Sequence, residues 1–158
     1  MAFSLIERDV EWIDRAPIRV QDETVVNAGA DVVFATLADH ESWPAWCPGI
    51  RRARVDGRAT GVGATRTVWV GPVAVREKFV VWEPDTRFSF TLTESGAPGL
   101  ASMVEDWQLE PAGADRTLVR YVVGVATAGL GGILDPVARL GTRRLVTQAL
   151  KGLGARHR

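Results

Sequence analysis

The chain has 158 residues, 46% of them hydrophobic and 24% charged, and its nineteen lysines and arginines balance nineteen aspartates and glutamates. That length suits one domain with a core of its own, and the composition excludes a disordered chain. Zero net charge removes the overall field that draws a protein to nucleic acid or anionic lipid, and no stretch approaches the ~20 apolar residues of a membrane-spanning helix.

Cys47 is the only cysteine, so an internal disulfide and a multi-thiolate zinc site are both excluded. The opening "MAFSLIERDVEW" reaches Glu7, Arg8 and Asp9 before any hydrophobic run attains signal-peptide length. With so little cysteine, the expectation is a cytoplasmic protein.

Phe3, Ile6, Val10 and Ile13 recur at intervals of three and four, which predicts a short amphipathic helix and makes residues 1–16 a helical N-terminal extension ended by Pro17. "IRVQDETVV" predicts a strand over Ile18–Val26. "AGADVVFATLAD" predicts a helix with Asp31 in its first turn and Val33, Phe34 and Leu37 on its apolar face. "HESWPAWCPGI", from His40 to Ile50, carries two tryptophans, two prolines, a glycine and the cysteine. It is too broken for a strand and too apolar for an ordinary solvated loop.

From Arg51 the pattern changes to period two. "RRARVDG", "ATRTVWVG", "VAVREKFVVWEP", "RFSFTLTE", "SMVEDWQLEP" and "TLVRYVVGVAT" are strand candidates separated by turn residues. Strands that follow one another through short turns predict an antiparallel meander. The chain closes on "LDPVARLGTRRLVTQALKGLGARHR", with Asp135 as candidate N-cap and Pro136 in the first helical position. Ala138, Leu145 and Ala149, with Gly141 and Gly152, form one face, and Val137, Leu140, Val146, Leu150 and Leu153 widen it. Such a helix spans roughly 28 Å, enough to cross a sheet of several strands. Residues 17–154 read as a single domain and 155–158 as a tail.

Alternation assigns inward faces. Val73, Val75, Phe79 and Val81 share one with Glu77; Met103, Trp107 and Leu109 share one with Glu105. Phe88, Phe90 and Leu92 form a third set, Thr65, Thr67 and Trp69 a fourth, and Val119, Tyr121 and Val123 a fifth. The inward positions suit a pocket for a greasy molecule lined by Trp69, Phe79, Phe88, Phe90, Trp107 and Tyr121. Glu77 and Glu105 interrupt it. Each either pairs with a nearby arginine or faces water at the sheet rim, or it serves as a polar anchor or half of an acid/base pair for catalysis. Both histidines, His40 and His157, are isolated, so neither a metal site nor a histidine-based triad is expected, and no cofactor. "GLGGIL" lacks the third glycine of a dinucleotide fingerprint and reads as a hinge.

The order of "NAGADVVFATLADHESWPAWCPGI", "GVGATRTV", "REKFVVWEPDTRFSFTLTE", "EDWQLEP" and the closing helix resembles the START-related helix-grip (SRPBCC) superfamily, in its polyketide cyclase/dehydrase-like branch. The resemblance implies an α+β fold in which a curved antiparallel sheet wraps around a long C-terminal helix, with two short helices after the first strand. It also implies a cavity for a lipid- or polyketide-like molecule between sheet and helix, held by a carrier or acted on by a cyclase, aromatase or dehydratase. In such proteins the short helices sit at the cavity mouth, which casts Trp43 and Trp46 as a lid; the alternative is that both rings pack the helix pair onto the sheet. Nothing in the sequence sets the oligomeric state.

Overall fold

The alternating segments between Ile50 and Thr127 each pair with the next along the chain, as short connections between antiparallel strands require. The structure, a computed structural model, describes residues 2–158. Its strands are β1 (Phe3–Ser4), β2 (Ile18–Val26), β3 (Ile50–Val55), β4 (Thr65–Val70), β5 (Val73–Glu83), β6 (Arg87–Ser95), β7 (Leu100–Pro111) and β8 (Thr117–Thr127). The α-helices are α1 (Ala30–Ala38), α2 (Trp43–Trp46) and α3 (Asp135–Arg156). Strands run in the order β2-β8-β7-β6-β5-β4-β3, with β1 added on β6, so the antiparallel sheet curves without closing. This is the helix-grip α+β architecture expected from the sequence.

α3 lies against the concave face and buries Val146, Ala149, Leu150 and Leu153. Gly152 brings the two layers together, because its missing side chain leaves room for the backbone of Trp46 and for Pro48. α1 and α2 cover the other half of that face, where Val33, Phe34 and Leu37 are buried as the helical period requires. No helix among the described residues is long and apolar enough to cross a membrane.

The N-terminal segment departs from the predicted helix. Phe3 and Ser4 pair with Ser95 and Glu94 of β6, and only Val10–Arg15 is helical, as a 3-10 turn capped by Asp9. Its Val10, Trp12 and Ile13 pack with Val104 and Val122 on the convex face. Gly124 permits this contact, since a β-carbon there would lie 3.1 Å from that of Ala16. Spacings of three and four suited a helix, but pairing with β6 and burial on the sheet prevailed over that local pattern.

Two expectations for the last helix also change. Asp135 is its first residue rather than its cap, and its carboxylate accepts from Thr127 Oγ1 at 2.7 Å, which ties α3 to the end of β8. Val137 and Leu140 do not widen the packed face; they are 73% and 70% exposed.

Candidate functional site

The concave face divides into a filled half and an open half. In the filled half, Phe79, Trp82, Phe88 and Phe90 interlock with Phe34, with ring centroids as close as 4.6 Å between Phe79 and Phe88. A bulge between Phe79 and Val81 re-aims β5 there. Trp82 therefore joins the aromatic block, while Val81, expected inside, packs against the convex-face cluster.

The open half lies beyond this block, beneath the first turns of α3. Its walls are aliphatic: Val68 and Val70 of β4, Val73 and Val75 of β5, Leu92 of β6, and Leu100 and Met103 of β7. Ala138, Gly141, Thr142 and Leu145 of α3 form the roof. These side chains are too short to meet across the gap, and a cavity of about 370 Å³ remains. Trp43, Cys47, Glu77, Glu105 and Tyr121 form its floor, where the open half meets the aromatic block.

The floor carries two polar clusters, one around Arg66 and Glu77 and one around Glu105 and Tyr121. Arg66 on β4 is the direct cross-strand partner of Glu77 on β5, and its Nε donates to Glu77 Oε2 at 2.5 Å. Side-chain exposure of this pair is 1% and 6%. Arg66 Nη1 donates to His40 Nδ1 at 3.2 Å, and His40 Nε2 donates to the Ala59 carbonyl at 2.6 Å, an arrangement that defines a neutral imidazole. The guanidinium lies against the Trp43 ring, 4.1 Å from its centroid, and 4.9 Å from that of Phe90. Its Nη2 has no hydrogen-bond partner. Two strands along, the Tyr121 hydroxyl donates to Glu105 Oε2, and the Tyr121 ring stacks on Trp107 at 3.8 Å.

Burial governs the protonation of these groups. It pushes Glu105 up to about 8, reinforced by the charge of Glu77, while the Tyr121 hydrogen bond and Arg66 act the other way. Glu77 is also raised by burial, against the opposing charge and hydrogen bond of Arg66. A guanidinium does not give up its proton, so one carboxylate must balance it, and Glu77 is the one in contact. Glu105, without a cation of its own, keeps its proton. His40 is lowered to about 4 by burial and then by the Arg66 charge, and burial lifts the Cys47 thiol to about 12, which leaves it an inert apolar wall.

Of the residues singled out from the sequence, Glu77, Glu105, Tyr121 and Trp43 come together on the cavity floor. Phe79, Phe88, Phe90 and Trp107 are buried in the filled half and do not line the cavity. Trp46 also stays away from it: the residue is 5% exposed, its ring packs edge-on to Trp107 at 6.4 Å, and its backbone meets α3 at Gly152. Trp69 projects from the convex face between Arg52 and Arg54. The phase of β4 is thus the reverse of the expected one, and Arg66, Val68 and Val70 face inward instead of Thr65, Thr67 and Trp69. Arg66 was missed for that reason. The signal that reveals it is Glu77, whose inward carboxylate requires a cation on a neighbouring strand. Among the described residues, no group of three or more His, Cys, Asp or Glu side chains is placed to hold a metal ion.

Comparison with known proteins adds three findings. The profile of the family described as polyketide cyclase / dehydrase and lipid transport matches residues 17–158. An uncharacterized protein of Mycobacterium tuberculosis is 26% identical over 153 residues, covering 93% of this chain and 91% of its own. Among solved structures, a START superfamily protein from Mycobacterium smegmatis superposes with a TM-score of 0.76 at 16% identity, covering 88% of this chain and 96% of that one. The Zhui aromatase/cyclase from Streptomyces sp. R1128 gives 0.71 at 19% identity, covering 88% and 92%.

Proposed function

We propose, for a chain that belongs to the polyketide cyclase / dehydrase and lipid transport family, that the cavity beneath α3 holds an apolar small molecule whose polar end meets Glu77 and Glu105. The observation that carries this reading is the cavity itself: aliphatic walls around about 370 Å³, closed at one end by a polar floor. A volume of that size falls in the range of small-molecule sites, and each methylene buried there contributes about 0.8 kcal/mol. The exposed Ile133, Val137 and Leu140 on and before the first turns of α3 extend the apolar surface outward and favour entry of a greasy molecule. Native mass spectrometry of the purified chain tests the reading, together with titration by Nile red, a neutral hydrophobic dye. We expect a co-purified small molecule or dye binding that such a molecule displaces. A chain that carries nothing and leaves the dye in water overturns it.

A second reading is chemistry of the cyclase or dehydratase kind; the Streptomyces protein of similar fold is named an aromatase/cyclase. The observation that favours it is the unequal carboxyl pair: Glu105 offers a proton while Glu77 carries a negative charge. One group donates and the other accepts, as enolisation or loss of water requires. Glu105→Gln separates the two readings, because it removes the acid while retaining a hydrogen-bonding side chain. Enzymatic turnover of a poly-ketone substrate would stop in this variant with binding preserved, whereas a pure carrier would turn over nothing in either form.

A further inference from the structure

The cavity floor has an uneven balance of charge. Among the described residues no lysine or arginine lines the cavity, and the cation nearest its floor, Arg66, is engaged behind the wall. Its Nε is held by Glu77 and its Nη1 by His40, aromatic rings cover its faces, and its Nη2, though without a hydrogen-bond partner, belongs to a side chain that does not line the cavity. Glu77 stands in the wall and Arg66 does not, so a ligand arriving from the cavity meets the carboxylate first. Glu105 adds a second carboxyl to the same floor; Cys47 and Tyr121 beside it carry no positive charge, and neither does His40 behind Arg66. Each carboxyl commits Oε2 to a protein donor, which leaves Oε1 for a ligand.

We infer that the cavity selects an uncharged head group that donates one hydrogen bond and accepts another, such as an amide or a hydroxyketone, and turns away carboxylates and phosphates. This rests on the cavity being the ligand site. Glu77 supplies the acceptor. The protonated carboxyl of Glu105 supplies the donor, because a guanidinium and two carboxyls in an apolar enclosure balance only when one carboxyl keeps its proton. An anionic head would place a second negative charge beside Glu77 with no free cation to meet it. An undissociated acid, by contrast, carries the matching donor and acceptor, so acids enter only as they become protonated.

The test is calorimetric titration of the full chain with three probes of one length: decanamide, decan-2-one and decanoic acid. Near pH 7 decanamide should bind at least about tenfold more tightly than decanoic acid, with the ketone between them, and the gap should narrow towards about pH 5 as the acid protonates. Decanoic acid binding as tightly as decanamide near pH 7 overturns the inference and leaves the cavity reading standing. If none of the three binds and Nile red also fails, both fall together.

Glu77→Gln uncovers the Arg66 charge and should shift the preference towards the acid by at least about tenfold. Should that variant fail to fold, Glu105→Gln provides the independent check. It keeps the charge count and must keep the wild-type preference for the amide. A gain in acid binding there would mean that Glu105 was ionised all along, and the inference would be lost.

Discussion

The carbonyl oxygen of Trp46 rests directly on Gly152, so close that a β-carbon at 152 would fall inside its van der Waals radius and within 2.9 Å of Pro48 Cδ. Glycine to alanine inside a helix ordinarily stabilises by about 1 kcal/mol, because alanine is the better helix former. Here the backbone of the α2 turn would have to move off α3, and overpacking of that kind costs about 3 kcal/mol. Gly152→Ala should therefore lower the urea midpoint markedly. Gly154→Ala, where a β-carbon meets nothing within 4 Å, should raise it slightly or leave it unchanged. Equal effects in the two variants would mean that α2 and α3 do not touch in this way.

Arg66 and Glu77 support a second prediction. Removing either partner alone strands a charge in a site that is 1% or 6% exposed, and single variants such as Arg66→Met or Glu77→Leu should each lose about 3–5 kcal/mol. The double variant replaces the pair by apolar side chains and should recover most of that loss, a coupling measurable by a double-mutant cycle in denaturant. His40 gives an internal control: without the Arg66 charge, one of the two forces that hold its imidazole neutral is gone, and its pKa should rise from about 4.

The sequence made the meander, the closing helix and the inward phase of β6, β7, β8 and β5 as far as Phe79 legible, because period-two alternation over long strands leaves one consistent face. It therefore placed Glu77 and Glu105 on the concave side. β4 was ambiguous: in "TRTVWV" one phase exposes a tryptophan and the other buries an arginine, and local pattern has no means to weigh them. The structure resolves the choice through the partner strand, since buried Arg66 has Glu77 and outward Trp69 has Arg52 and Arg54. The bulge at Val80 likewise exchanges Val81 for Trp82 without any turn residue to announce it. The cavity was misplaced for a related reason. Alternation tells which side chains point inward, but whether space remains depends on whether they meet, and the aromatic rings meet while the valines do not.

Glu105 makes stability depend on pH in a definite direction. Its carboxyl sits at about 8 in the folded chain, against an ordinary value of 4.5 in the unfolded one. Between these values the folded state holds a proton that the unfolded state has released, so stability falls as pH rises, by about 1.4 kcal/mol per pH unit. His40, lowered from 6.5 to about 4, has the opposite slope over that lower interval and offsets part of the loss. Above about 6.5 that compensation ends. Stability should then decline up to about pH 8, and Glu105→Gln should remove that decline; above about 9 the buried Cys47 thiol, raised to about 12, lowers stability again in both forms. A wild-type chain of constant stability between pH 6.5 and 8.5 would show that Glu105 is already ionised at neutrality.

Gly141 permits a direct test of the cavity without disturbing its floor. It lies on the roof between Ala138 and Leu145, and a β-carbon there would meet nothing within 4 Å, so the position is open and not packed. Side chains on a helix lean back towards its N-terminus, which would carry a ring at 141 towards the mouth beside Ala138. Phenylalanine is also the better helix former, and Gly141→Phe should leave stability unchanged or raise it by up to about 0.5 kcal/mol. The same variant should weaken Nile red binding at least about tenfold, because the ring occupies space the ligand needs. Gly141→Ala supplies the control: it improves the helix further, by about 1 kcal/mol, but adds too little volume to fill the mouth, and it should bind the dye as the wild type does. Loss of binding in Gly141→Phe alone would fix the ligand beneath the first turns of α3. Undiminished binding in both would move it elsewhere, and Glu77 and Glu105 would then be structural groups sealed under an empty roof.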